Sequence, residues 1–218
     1  MDLETAIRER RSIRAYKPDP VPQDLIREIL DEARWSPSWA NTQCWHVHAV
    51  TGKALKRIKA ALREAERDAA PAKPDFRMQA TPWPEAQRER TQALMKEIMA
   101  ARRTADGETG APDPYDFFGA PCLLLADVDT AIAPDYACFD AGLFTQTLCL
   151  AAHARGLGTC IMARTVRRPE VLRSVLPRTD GRSFVIAIAL GWPDPKAPIN
   201  AFPRERAPLA ESVTWSDA

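Results

Sequence analysis

Arg10-Arg11-Ser12-Ile13-Arg14 packs three guanidinium groups and a hydroxyl into about one turn of chain, beside the short amphipathic run Leu3 to Arg8. Arginine keeps its proton and presents a planar fork of donors suited to phosphate or carboxylate oxygens. Folded against a core, such a cluster repels itself unless an anion sits among it. A solvated helix end would also carry basic residues, because they complement the helix dipole. A second stretch, Ser36-Pro37-Ser38-Trp39-Ala40-Asn41-Thr42-Gln43-Cys44-Trp45, joins donors and acceptors to two flat apolar rings. That mixture could read the edge of a heterocycle, and it also suits a polar loop that stops a helix. His46 and His48 fall on one face of a strand. With only His153 elsewhere in the chain, they read as packing or surface residues, and no metal is expected.

The chain around these residues is 218 long, 45% hydrophobic and 27% charged, which fits one domain spanning 1–218. Thirty basic residues against 29 acidic leave a formal charge of +1. A general nucleic-acid binder needs a large basic excess, so the arginines suit a small anion better. No apolar run approaches the ~20 residues of a membrane span, and the N-terminal residues lack the apolar core of a secretory signal. Five cysteines without a Cys-x-x-Cys pair point to a reducing cytoplasm.

Apolar spacing predicts helices over 22–36, 53–70 and 85–105, with Pro22 suited to a first turn and Pro37 to a stop. Strands are expected over 45–51, 121–128 and 183–191, the last two without alternation because both faces are buried. Residues 135–155 form a long helix, apolar nearly all round and so buried on more than one side, capped by Gly156. Gly156 to Ala163 reads as a turn into a short strand, and 168–176 is a short helix. No Gly-x-Gly-x-x-Gly occurs, so a nucleotide would bind outside Rossmann rules. The segment at about 64–116 matches no motif. The Pro-rich extension at about 193–218 carries Arg204-Glu205-Arg206 and ends in apolar residues, which suggests docking onto a surface.

Arg10-Arg11-Ser12-x-Arg14, one helix, then Pro37-Ser38-x-x-Asn41-x-Gln43-x-Trp45 resembles the opening of the nitroreductase family of FMN flavoproteins. The long helix running into Gly156-Leu157-Gly158-Thr159-Cys160 resembles the same family. Trp39 stands where the family more often has a small residue, and Cys44 where it has proline. The resemblance implies an α+β nitroreductase-like fold, a mostly antiparallel central sheet flanked by helices around a long buried central helix. It further implies an obligate homodimer with FMN at the subunit interface, NAD(P)H as electron donor, and a small nitroaromatic or quinone-like acceptor in ping-pong turnover.

By the same resemblance, Arg10, Arg11, Ser12, Arg204 and Arg206 hold the FMN phosphate, and Arg14 reaches the ribityl or pyrimidine edge. Pro37, Ser38, Trp39, Asn41 and Gln43 approach the cofactor from the partner chain, and Met162, Ala163 and Arg164 lie along the ring. Trp39, Phe117 and Phe118 are expected as walls for the substrate, with core packing the role of at least one phenylalanine. The cofactor carries the chemistry, so no catalytic side chain is assigned. Dehalogenation, ene-type reduction or dehydrogenation on the same fold remain open, as do a flavin-binding protein without turnover and a helical interaction module.

Overall fold

A four-stranded antiparallel sheet of order β1-β2-β4-β3 organises the chain, built from β1 (Trp45–Thr51), β2 (Cys122–Asp129), β3 (Gly158–Met162) and β4 (Arg182–Gly191). The computed structural model describes residues 1–68, 71–76, 82–106 and 113–216, the side chains of 103–106 excepted. β2 lies between two neighbours with seven of its eight residues buried, which is why its sequence reads as an unbroken apolar run. Its side chains nonetheless alternate. Leu123 and Leu125 enter one core with Leu55, Ile58 and Leu62, while Cys122 and Leu124 enter another with Ile29 and Leu148. Each fully buried leucine contributes about 1.5–3 kcal/mol, so these two cores on either face fix the register of β2.

Six α-helices flank the sheet among the described residues: α1 (Leu3–Glu9), α2 (Gln23–Ala33), α3 (Gly52–Arg67), α4 (Glu85–Asp106), α5 (Pro134–Ala154) and α6 (Pro169–Val175). α2 ends at Ala33, three residues before the expected Ser36, and Ser36 itself is kept out of it because a residue preceding proline is pushed out of helical geometry. Ser36 turns back instead, its hydroxyl donating to the Ala33 carbonyl at 2.7 Å. The last two residues expected for the helix over 53–70 lie outside the described residues.

α5 is the long central helix. It buries Ala141, Phe144, Leu148 and Ala152, yet within one chain the opposite side is bare, with Phe139 65% exposed. Leu3 and Ile7 of α1, which contacts α5, are exposed as well. No described helix is long and apolar enough to cross a membrane.

Candidate functional site

The two ends of the chain meet beside β3. Ser12 bridges to Thr159 in parallel, and the Ile13 N–H donates to the Thr159 carbonyl at 2.9 Å. Gly158 permits this approach, since a Cβ there would fall 2.5 Å from the Ile13 side chain. The tail then closes over the same segment. The buried Asn200 accepts from the Arg14 N–H at 2.7 Å and donates to the carbonyls of Ala15 and Asp194 at 2.8 and 3.0 Å. Arg204 donates to the carbonyls of Arg8, at 2.5 Å, and Arg10, and Arg11 donates to the carbonyl of Phe202. Residues 194–204 of the tail thus form a clasp over the N-terminal arginines, while Leu209 and Trp215, two of the apolar residues that suggested docking, are exposed.

That clasp borders an open-sided cavity of about 750 Å³. Arg10, Arg11, Ser12 and Arg14 line it from one end of the chain, Arg204 and Arg206 from the other, and Leu94 and Glu97 of α4 from the side. α4 belongs to the segment without motifs, and Ile98 anchors it to the tail through Ile199 and Phe202. Burial, with Arg204 and Arg14 nearby, pulls the Arg11 pKa below its ordinary value. Burial, then Arg206 and Arg10, do the same to Arg204. Both shifts come first from burial and then from neighbouring cations, and an anion placed among them would offset both.

The other expected site residues lie apart from this cavity. Pro37, Trp39, Asn41 and Gln43 are exposed, and Ser38 is half-buried, accepting from the Gln43 N–H at 2.9 Å. Their loop is pinned to α5, where the Trp39 N–H meets both oxygens of the Asp140 carboxylate at 3.1 and 3.0 Å. Ala40, Asn41 and Gln43 all have positive φ (48°, 56° and 46°), a backbone costing on the order of 1–3 kcal/mol per residue. Met162 ends β3 half-buried, and Ala163 follows it exposed. The Arg164 guanidinium is engaged by Glu66 at 2.6 Å and lies 5.8 Å from the Tyr115 ring. Phe117 takes the core-packing role expected of at least one phenylalanine, and the assignment of it as a substrate wall is corrected. It is 1% exposed within the core that contains Leu62 and Tyr115, and its side chain has no face left for a substrate. Phe118 is half-buried against the same core.

Sequence spacing left His46 and His48 without a partner, and the fold supplies one. Asp127, fully buried on β2, receives His46 Nδ1 at 3.3 Å and His48 Nε2 at 2.9 Å on one oxygen, and Arg182 on the other. Burial raises the Asp127 pKa, but the hydrogen bonds from His48 and Arg182 outweigh it and hold the carboxyl below its ordinary value. Asn200 and Phe202 are the other residues sequence reasoning missed. Asn200 carried no signal beyond being a polar residue near a tail, and Phe202 stood two residues before the arginine pair.

An α+β fold with an antiparallel sheet thus carries an arginine-lined cavity between its chain ends. The sequence pattern of the nitroreductase family matches residues 7–192, and the chain belongs to that family. It is 35% identical over 217 residues to a 4-nitrobenzoate reductase of Pseudomonas putida, covering 94% of this chain and 92% of that one. It is 30% identical to a chloronitrobenzene nitroreductase of Comamonas testosteroni, covering 98% and 96%. Among solved structures, the FMN-dependent nitroreductase NfnB from Mycobacterium smegmatis in complex with NADPH superposes with a TM-score of 0.88 at 29% identity, covering 98% and 97%.

Proposed function

We propose that this chain, working as one domain over 1–218, is an FMN-dependent oxidoreductase that passes reducing equivalents from NAD(P)H to a small nitroaromatic or quinone-like acceptor. The observation that carries the reading is the meeting of Arg10, Arg11, Arg14, Arg204 and Arg206 around one cavity. A flavin mononucleotide presents a dianionic phosphate, a polyol and a flat ring. Like-charged guanidiniums brought together suit the phosphate through charge-assisted hydrogen bonds, and the Ser12 hydroxyl adds a neutral donor. When bound, FMN supplies the electron transfer between the two substrates in a ping-pong cycle.

The chain's own residues bind and orient. Arg204 braces the main chain of Arg8 and Arg10 while lining the cavity, so tail docking and anion binding depend on each other. In this reading Arg14, its N–H held by Asn200, reaches from the arginine cluster to the ribityl or pyrimidine edge of the cofactor, where positive charge stabilises the reduced flavin. The exposed residues Trp39, Asn41 and Gln43 and the bare Phe139 stripe support a homodimer in which a second copy completes the cofactor site. A cytoplasmic location belongs to the same reading, since the five cysteines are free thiols that a reducing compartment maintains.

An absorption spectrum of the purified protein tests the proposal. A yellow protein, bleached by NADPH or NADH and recoloured by 4-nitrobenzoate, is the expected result. A colourless protein that ignores added FMN would overturn it.

A further inference from the structure

The Ser38–Gln43 loop stands on α5 at two points one helical turn apart. At Asp140 the grip is polar: a carboxylate only 1% exposed directs both oxygens at the Trp39 N–H. No ion pair to Asp140 occurs among the described residues, and its remaining polar neighbour is the Cys44 thiol at 3.9 Å. A buried carboxylate without a cation is costly to keep. What this one holds is a backbone with positive φ at Ala40, Asn41 and Gln43. At Tyr136 the grip is aromatic: its ring stacks on Trp39, with centroids 5.2 Å apart and planes inclined by 25°. Both rings remain about half exposed, so the indole is braced on one side and open on the other.

We propose that Tyr136 and Asp140 are positioning residues that hold the Trp39 indole as a fixed flat wall and thereby favour planar aromatic acceptors over compact ones. The inference rests on the flavoenzyme reading and names the specificity of that same site. An indole already locked by amide and ring loses little freedom when a flat acceptor stacks on its open side. A loose indole would present no fixed plane. Asp140 and Tyr136 touch neither cofactor nor acceptor in this scheme and act through Trp39.

The test compares nitrobenzene with ferricyanide, an electron acceptor that cannot stack, using the FMN-loaded full chain and NADPH. Tyr136→Ala, at an exposed ring, is expected to lower the nitrobenzene-to-ferricyanide ratio of kcat/KM about fivefold through KM. Tyr136→Phe keeps a ring to stack and restores the ratio. Trp39→Ala lowers the ratio by at least as much, and adding Tyr136→Ala to it lowers the ratio no further, since the two act through one contact. Asp140→Asn keeps an acceptor oxygen but loses the charge and lowers the ratio less. An unchanged ratio in Tyr136→Ala, or fully additive losses in the double variant, would overturn the inference while the wild type turns over normally. A wild type that takes up no FMN sinks the flavoenzyme reading first, and this inference with it.

Discussion

The Arg11 guanidinium donates to the main-chain carbonyl of Phe202 and lies 5.5 Å from the centre of the same residue's ring. Arg14 approaches that ring too, at 5.8 Å. One tail residue therefore orients two cavity arginines while its side chain packs with Ile98 and Ile199.

Phe202→Ala should cost about 3–5 kcal/mol of stability, because it empties a small core as well as removing two cation–π contacts. Phe202→Leu keeps most of the volume and should fold nearly as well, yet bind FMN more weakly. Thermal melts of the apo chain, set beside flavin titrations, separate the packing effect from the orienting one.

Arg10→Ala or Arg206→Ala should each weaken FMN binding about 10- to 100-fold, corresponding to about 1.5–3 kcal/mol for a charge-assisted hydrogen bond. Circular dichroism should remain unchanged. Wild-type affinity should also fall as salt is raised, since part of the attraction is screened. Full occupancy retained in both variants would reject the phosphate assignment.

Asn200→Ala removes two hydrogen bonds that join the tail to residues 14 and 15 and a third, to Asp194, within the tail itself. A loss of about 1–3 kcal/mol is expected for the buried groups left unsatisfied. Release of the tail should expose the Arg8–Arg10 segment to limited proteolysis before the rest of the chain unfolds. A variant as resistant to protease as the wild type would show that the clasp does not depend on this residue.

Asp127 gives the fold a pH dependence. Its folded pKa lies below the unfolded carboxylate value of ~4, so its contribution is fully present above about pH 4 and lost as pH falls through the lower folded value. Urea midpoints should therefore decline in acid, and Asp127→Asn should flatten part of that decline. At neutral pH the same variant should be about 3–5 kcal/mol less stable, because Arg182 loses its buried counter-charge.

The sequence by itself determined the local pieces. The 3.6-residue period set the helices α2, α3 and α4, the long stretch apolar nearly all round set α5, and the unbroken apolar run of β2 announced a strand covered on both faces. It also supplied the arginines and the polar–tryptophan loop as residue types, because side-chain chemistry and period are written within a few positions. Tertiary structure alone decided which of these meet. Arg204 reaches the Arg10 carbonyl across 194 positions, Asp127 collects two histidines and Arg182 from neighbouring strands, and Phe117 turns into the core rather than toward a ligand. Such contacts follow from sheet order and from what each core leaves room for, and no local spacing encodes either.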